Sequence, residues 1–381
     1  MEAYLDYNST TPVDPAVAEV MRPYFTEEFA NASSFHRKGQ AARHAVELAR
    51  EKIGDFLGVE PGDIIFTSGG TESDNLALRG TMVSRLNERK HLVISSIEHQ
   101  AVLHTAKFLG GLGCEVTVVP VSPSGIVDLD ALKKSVTEHT SLVSLMHVNN
   151  EVGTIQPVEE AAKIAHDKGA YFHVDAVQSF GKLPIDPEKM DIDFLSISAH
   201  KICGPKGSGA LYIRKGLKIK PIFYGGHQEK NIRPGTENVA AIAGFGKATE
   251  LARKNHNTEA KRVEALRNHL EEGIQKKIPS MCLNGDSKAR IYNTLNVSFE
   301  GLDGETILVN LDLKHIFVST GSACTAGSIE PSHVLLAMGL GEKMARAAVR
   351  FSLGRFTTNT EVDYALAELP GIIERLRKSA T

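Results

Sequence analysis

Between about residue 40 and residue 215 the apolar residues switch repeatedly between helical and strand spacing, which leaves few folds open. "AARHAVELAREKIGDFLG" carries apolar residues at helical spacing, and "DIIFTS" follows as a short apolar strand. "TESDNLALRGTMVSRL" (helix), "HLVISS" (strand), "QAVLHTAKFLGGLG" (helix) and "CEVTVVPV" (strand) continue the rhythm. "LDALKKSV", "SLVSLMHV", "VEEAAKIAHDKG" and "AYFHVDA" repeat the pair twice more. Such a chain is predicted to be α/β, with a mostly parallel sheet covered by helices on both faces. Ligands of these sheets gather beyond the carboxyl ends of the strands, so the residues just after each strand matter most.

The rhythm ends after "GALYIRK". A long, charged, helical stretch from "TENVAAIAGFG" to "EEGIQKK" predicts a bridge between two units. Beyond it "NTLNVSFE", "AAVRFSL" and the helix "TEVDYALAELPGIIERLRK" predict a smaller α+β unit, with the boundary near residue 262. Two domains are the expectation for 381 residues. A net charge of -3 with no long basic run selects neither a nucleic acid nor a membrane surface as partner. No window approaches eighteen apolar residues, and "MEAYLDYNSTTPVDP" lacks the basic start and apolar stretch of a signal peptide. Cysteines at 114, 203, 282 and 324 form no CxxC pair, and the histidines show no HExxH spacing. A reduced, cytoplasmic setting without a resident metal is therefore expected.

The strand ends carry the chemistry. "IIFTSGGTESDNLAL" reads as strand, glycine-rich turn and a helix opening at Thr71, with Asp74 in capping-box position. Free N–H groups at that helix start would cradle a phosphate, although a plain tight turn has the same spelling. His99 in "SSIEHQ", and Asn149 and Asn150 in "HVNNEVG", follow further strands, where hydrogen bonding and loop capping are the structural alternatives. Asp175 in "HVDAVQS" ends a buried strand and needs a cationic or N–H partner. Lys201 follows a strand in "DFLSISAHKICGPKG", where lost solvation would make its amine nucleophilic near neutral pH. Phosphate cradle, buried carboxylate, lysine and flat-ring histidine on one sheet edge are the parts pyridoxal phosphate requires. Lysine forms the Schiff base, the carboxylate keeps the pyridine nitrogen protonated, and the helix start takes the phosphate.

These stretches, with "YLDYNSTTPVDP", "EHQAV", "RPGTENV", "STGSACTAGSIEPSHVL" and "RFSLGRFTT", make the chain resemble the cysteine desulfurases. These belong to the class V aminotransferase branch of fold type I pyridoxal-phosphate enzymes. The resemblance runs over nearly the whole length and implies a homodimer. It implies a large cofactor domain at 16–262 and a small domain made of 1–15 with 263–381. By it, Lys201 matches the Schiff-base lysine, Asp175 the pyridine-nitrogen carboxylate, and Gln178 the donor to the cofactor's phenolic oxygen. His99 matches the imidazole that stacks on the ring and handles protons. Gly70, Thr71, Ser198 and His200 match phosphate contacts, and Thr236 a phosphate contact donated by the other subunit. Asn150 and Arg350 match the groups that bind the substrate carboxylate, for which a planar guanidinium fork is suited.

Cys324 matches the family's nucleophile, and its Ser, Gly and Ala neighbours predict a loop able to swing between pocket and acceptor. The implied reaction takes sulfur from L-cysteine, leaving L-alanine and a persulfide on Cys324. The long-loop type of motif implies an iron–sulfur scaffold or another sulfur acceptor as partner, with Cys324 a transient iron–sulfur ligand there. Ser9 stands where the family usually has alanine, and Ala30 and Ala32 where it has Gly and Pro, small departures that the resemblance puts near the active-site entrance, and "CTAG" replaces a Ser-rich run. The chain ends at "RLRKSAT", short of the tail with which housekeeping members grip their scaffold, and "GGHQE" and "RPGTENV" resemble the nitrogen-fixation branch. A selenocysteine lyase, another pyridoxal-phosphate C–S lyase or transaminase, and a non-enzymatic scaffold of the same fold are the alternatives. The last would be expected to lack Lys201 or Asp175, and the transaminases do not need Cys324.

Overall fold

A computed structural model describes residues 1–86, 88–320 and 330–380. Among them a seven-stranded sheet runs in the order Ile64–Thr67, Gly209–Ile213, Phe194–Ser198, Tyr171–Asp175, Thr140–Met146, His91–Ser95, Glu115–Val119. Gly209–Ile213 is antiparallel to both neighbours, and the other pairings are parallel. Two reversals cancel, so Ile64–Thr67 runs in the same sense as the five parallel strands. Its carboxyl end therefore emerges on the same edge as theirs.

The sheet sorts its side chains at the period of two that a pleated strand imposes. Ile64 and Phe66 join one apolar cluster with Ala42, Val46 and Ile53 of the helix Arg37–Leu57. Ile65 between them faces the other way, into a cluster with Leu76 and Met82 of Gly70–Arg85 and Val102 of Gln100–Gly111. Both faces are thus covered by helices. Thr140–Met146 and Phe194–Ser198 are accordingly buried at every residue, whereas the edge strand Glu115–Val119 is partly exposed.

A separate apolar cluster gathers Leu295, Phe351, Leu270 and Val362 with Ala3 and Leu5 from the beginning of the chain. Its sheet is antiparallel, in the order Ala348–Ser352, Thr294–Phe299, Met281–Asn284. Ala3–Tyr4 pairs in parallel with Ile316–Phe317 beside it. The bridging helix is Val239–Lys277, 39 residues and so about 58 Å long. Ile242, Phe245 and Ala252 serve the first core, and Val263, Leu266 and Ile274 the second. Residue 262 falls inside this helix, at the change of partner. No helix among the described residues is long and apolar enough to cross a membrane.

One segment ties the two units at the sheet edge. The backbone N–H of Tyr7 donates to Ser352 O (3.1 Å), and that of Thr11 to His200 O (3.1 Å). Residues 5–11 therefore run as a strap from the small sheet to the turn that carries Lys201.

Candidate active site

At the carboxyl edge of the large sheet, under the strap, lies a cavity of about 390 Å³. Nine residues expected from the sequence line it. Gly70 and Thr71 come from the turn after Ile64–Thr67, His99 from the turn after His91–Ser95, and Asn150 from the turn after Thr140–Met146. Asp175 ends its strand and Gln178 follows it. His200 and Lys201 sit in the single turn Ala199–Lys201 after Phe194–Ser198, and Arg350 comes from the small sheet.

The phosphate end is built from close backbone packing. Thr67, Gly209 and Ser198 are registered neighbours across three strands. A Cβ on Gly209 would lie 2.6 Å from Gly69 Cα, and one on Gly70 would lie 2.5 Å from Val177 Cγ2. Glycine is needed at both places for the turn to lie this close to the sheet. No side chain caps the helix Gly70–Arg85 at Gly69, so its first N–H groups remain available to an anion. Ser198 Oγ is buried beside this turn's strand without a hydrogen-bond partner among the described residues. Both features fit a phosphate. The capping-box expectation for Asp74 fails: Glu72 instead reaches back to Ser68 N–H (2.8 Å). Asp74 lies on the buried face of the helix, with Ser73 and Ala77, and its carboxylate points at His173 Nε2 (3.6 Å).

Burial pushes the Asp175 carboxyl up, against the opposing pull of His99, the Val177 N–H (2.9 Å) and Lys201. A buried carboxyl at a cavity wall is what a protonated ring nitrogen would ionise and pair with. His99 Nδ1 accepts from Ala101 N–H (3.1 Å), capping the helix Gln100–Gly111. Burial lowers its pKa, so the neutral ring carries its proton on Nε2. Structural cap and site residue are the same histidine. Burial, with Lys201 next in effect, pushes His200 down to about 3, and His200 therefore stays neutral.

The strap supplies what the sequence reading missed. Lys201 Nζ donates to the carbonyls of Asn8 (2.5 Å) and Ser9 (2.7 Å). One Arg350 terminal nitrogen donates to Asp6 Oδ1 (2.7 Å) and Ser9 Oγ (2.7 Å), and the other to Asn150 O (3.0 Å). Ser9, noted above only as a departure from the family, thus touches both the lysine and the arginine. Asn149 does not line the cavity. It caps the turn, accepting from Glu151 N–H (2.9 Å) and Val152 N–H (3.0 Å).

Three expected residues do not line the cavity. Ser198 is buried behind it, Thr236 is exposed and outside it, and Cys324 lies outside the described residues. The chain on either side of Cys324 is tied to the site. Ser319 exchanges backbone hydrogen bonds with Arg350, at 2.6 and 3.2 Å. Ser332 Oγ donates to Glu151 Oε2 (2.5 Å), and His333 Nε2 pairs with Glu98 O (3.0 Å). The other cysteines are elsewhere: Cys114 and Cys203 are buried, with thiols pushed up by burial, Cys203 to about 11, and Cys282 is exposed on the small sheet.

A doubly covered sheet with lysine, carboxylate and a glycine-lined helix start at one edge defines the class of pyridoxal-phosphate enzymes of fold type I. The aminotransferase class-V profile matches residues 3–365, and the chain belongs to that family. It is 49% identical over 376 residues to the cysteine desulfurase IscS of Dictyoglomus turgidum, covering 99% of this chain and 95% of that one. A solved NifS-like protein superposes with a TM-score of 0.93 at 41% identity, covering 99% of this chain and 100% of its own. SspA, solved in complex with cysteine, superposes with a TM-score of 0.84 at 39% identity, covering 93% and 100%.

Proposed function

We propose that this chain is a pyridoxal 5′-phosphate-dependent cysteine desulfurase that passes sulfur from L-cysteine to Cys324 and onward to an acceptor. One observation carries the reading: Lys201, Asp175 and Arg350 face a single cavity, and the Cys324 segment is bonded on one flank to Arg350 and on the other to Glu151 and Glu98, the chain neighbours of the lining residues Asn150 and His99. Relatives bearing the name cysteine desulfurase over nearly the full length support it. When bound, the cofactor supplies an electron sink for the pair left at the substrate Cα. Gly70, Thr71, Ser198 and His200 hold its phosphate, Asp175 its ring nitrogen, and Gln178 its phenolic oxygen. Arg350 and Asn150 bind the substrate carboxylate, which competes with Asp6 and Ser9 for the guanidinium. Lys201 would hold the cofactor and take the substrate Cα proton, and His99, with its proton on Nε2, would pass protons within the cavity. The Cys324 thiolate attacks the substrate sulfur, an S–S bond forms as the Cβ–S bond breaks and its electron pair stays on carbon, and alanine leaves once Cβ has gained a proton and Cα has regained the one that Lys201 took. No metal is assigned to the isolated enzyme.

Protein loaded with cofactor and given L-cysteine and dithiothreitol should release alanine and sulfide in equal amounts. Pyruvate and ammonia in place of alanine would replace this reading with a plain lyase.

A homodimer with shared sites follows from Thr236. It is exposed, as are the aromatics Phe223 and Tyr224 earlier in the same segment of chain, and such exposure fits an interface. Light scattering should show a dimer, and Thr236→Ala should weaken cofactor retention several-fold. A fully active monomer would refute the shared site. The two apolar cores support a large domain at 16–262 and a small domain of 1–15 with 263–381. An iron–sulfur scaffold is the proposed acceptor. The unbridged Cys114, Cys203 and Cys282 fit a reducing cytoplasm.

A further inference from the structure

Lys182 is a buried lysine that the reaction above does not use. It follows Asp175 in the turn that also carries Gln178, and its Nζ donates to Gln178 Oε1 (3.2 Å). Burial pulls it down to about 8. The carboxylates nearby are engaged elsewhere: Arg355 holds Glu259 (2.8 Å) and Asp14 (3.0 Å). Cys203, Glu259 and Arg350 also act on it, and Tyr7, Tyr292 and Arg355 line the same small void.

Gln178 has a second partner of opposite kind. Its Nε2 donates to Asn8 O (2.9 Å), the same carbonyl that accepts from Lys201. That carbonyl is held still, because Asn8 N–H donates to Ser352 Oγ (2.9 Å) and Asn8 Nδ2 to Thr294 Oγ1 (2.9 Å). An ammonium can only donate and a carbonyl can only accept, so the two neighbours together admit one orientation of the amide. Its oxygen faces Lys182, and its nitrogen faces the carbonyl of Asn8, itself a cavity-lining residue, with one N–H left over.

We propose that Lys182 is a positioning residue that locks the Gln178 amide with a donor, never an acceptor, toward the bound cofactor's anionic ring oxygen. This rests on the cofactor reading above. Without Lys182 the amide oxygen loses that donor and Asn8 O alone is left to orient the amide, so any fraction that flips turns an acceptor toward the oxygen it should hold.

The test is a double-mutant cycle on cofactor binding, with no turnover. Apoprotein is titrated with pyridoxal phosphate, followed by fluorescence and by the visible band. Lys182→Met should weaken binding about tenfold, the scale of a hydrogen bond involving a charged group. In a Gln178→Leu background the same substitution should change binding less than about twofold, because no amide remains to orient. Lys182→Leu runs the same cycle if the methionine variant does not fold. An equal loss in both backgrounds would show that Lys182 merely packs, and would overturn the assignment. A wild type that binds no pyridoxal phosphate would overturn the cofactor reading and this assignment with it.

Discussion

Lys201→Ala should lose the visible absorption of covalently held cofactor and should turn over L-cysteine roughly 10³-fold more slowly, the range a positioned base contributes. The lysine is held at its post by two carbonyls of the strap and by a turn whose residues are fixed at the end of a fully buried strand. Truncation to alanine removes the amine and leaves that frame intact. Circular dichroism and melting temperature should therefore stay near the wild type. Borohydride reduction of the wild type should fix the cofactor to the peptide containing Lys201. Label on Lys206, five residues on in the same glycine-rich stretch, would sink the assignment.

Cys324→Ala separates binding from sulfur transfer. Cofactor loading and the spectral change on adding L-cysteine should persist, since neither uses the thiol, while alanine and sulfide release should fall at least about 100-fold. Mass spectrometry of the wild type after one turnover should find one additional sulfur on the peptide containing Cys324. The other cysteines make poor substitutes. Cys114 and Cys203 are buried thiols pushed up by burial, and the thiolate is the reactive form. Cys282 is exposed on the small sheet, outside the cavity. An adduct on any of these, or normal turnover by Cys324→Ala, would remove Cys324 from the mechanism.

What could be read from residue order alone follows physical rules. Strands buried on both faces write themselves as short apolar runs, and the turns after them must hold the ligand. Gly70, His99, Asn150, Asp175 and Lys201 were legible for that reason. Ser9 was placed near the site only through the resemblance, and Asp6 and Asn8 were not legible, because they reach the site only when the small sheet holds the strap in place. Asp74 was misread because spacing alone does not say which way a carboxylate at a helix start faces: Asp74 lies on the buried face, while Glu72 reaches back to Ser68 N–H. Nothing in the residue order marks Lys182; only its burial against Gln178 distinguishes it.

The strap has a consequence for how the protein comes into being. Residues 5–8 are made long before their partners Phe317, Thr294 and Ser352, which lie roughly 300 residues further along the chain. At roughly 5–20 residues per second, tens of seconds pass before those partners exist. The large sheet can form in that interval, since its strands are near one another in the chain, but Lys201 and Arg350 cannot yet be held as the finished enzyme holds them. Catalytic competence is thus the last property the nascent chain acquires. A prematurely terminated product would carry the lysine and the glycine turn without the means to use them.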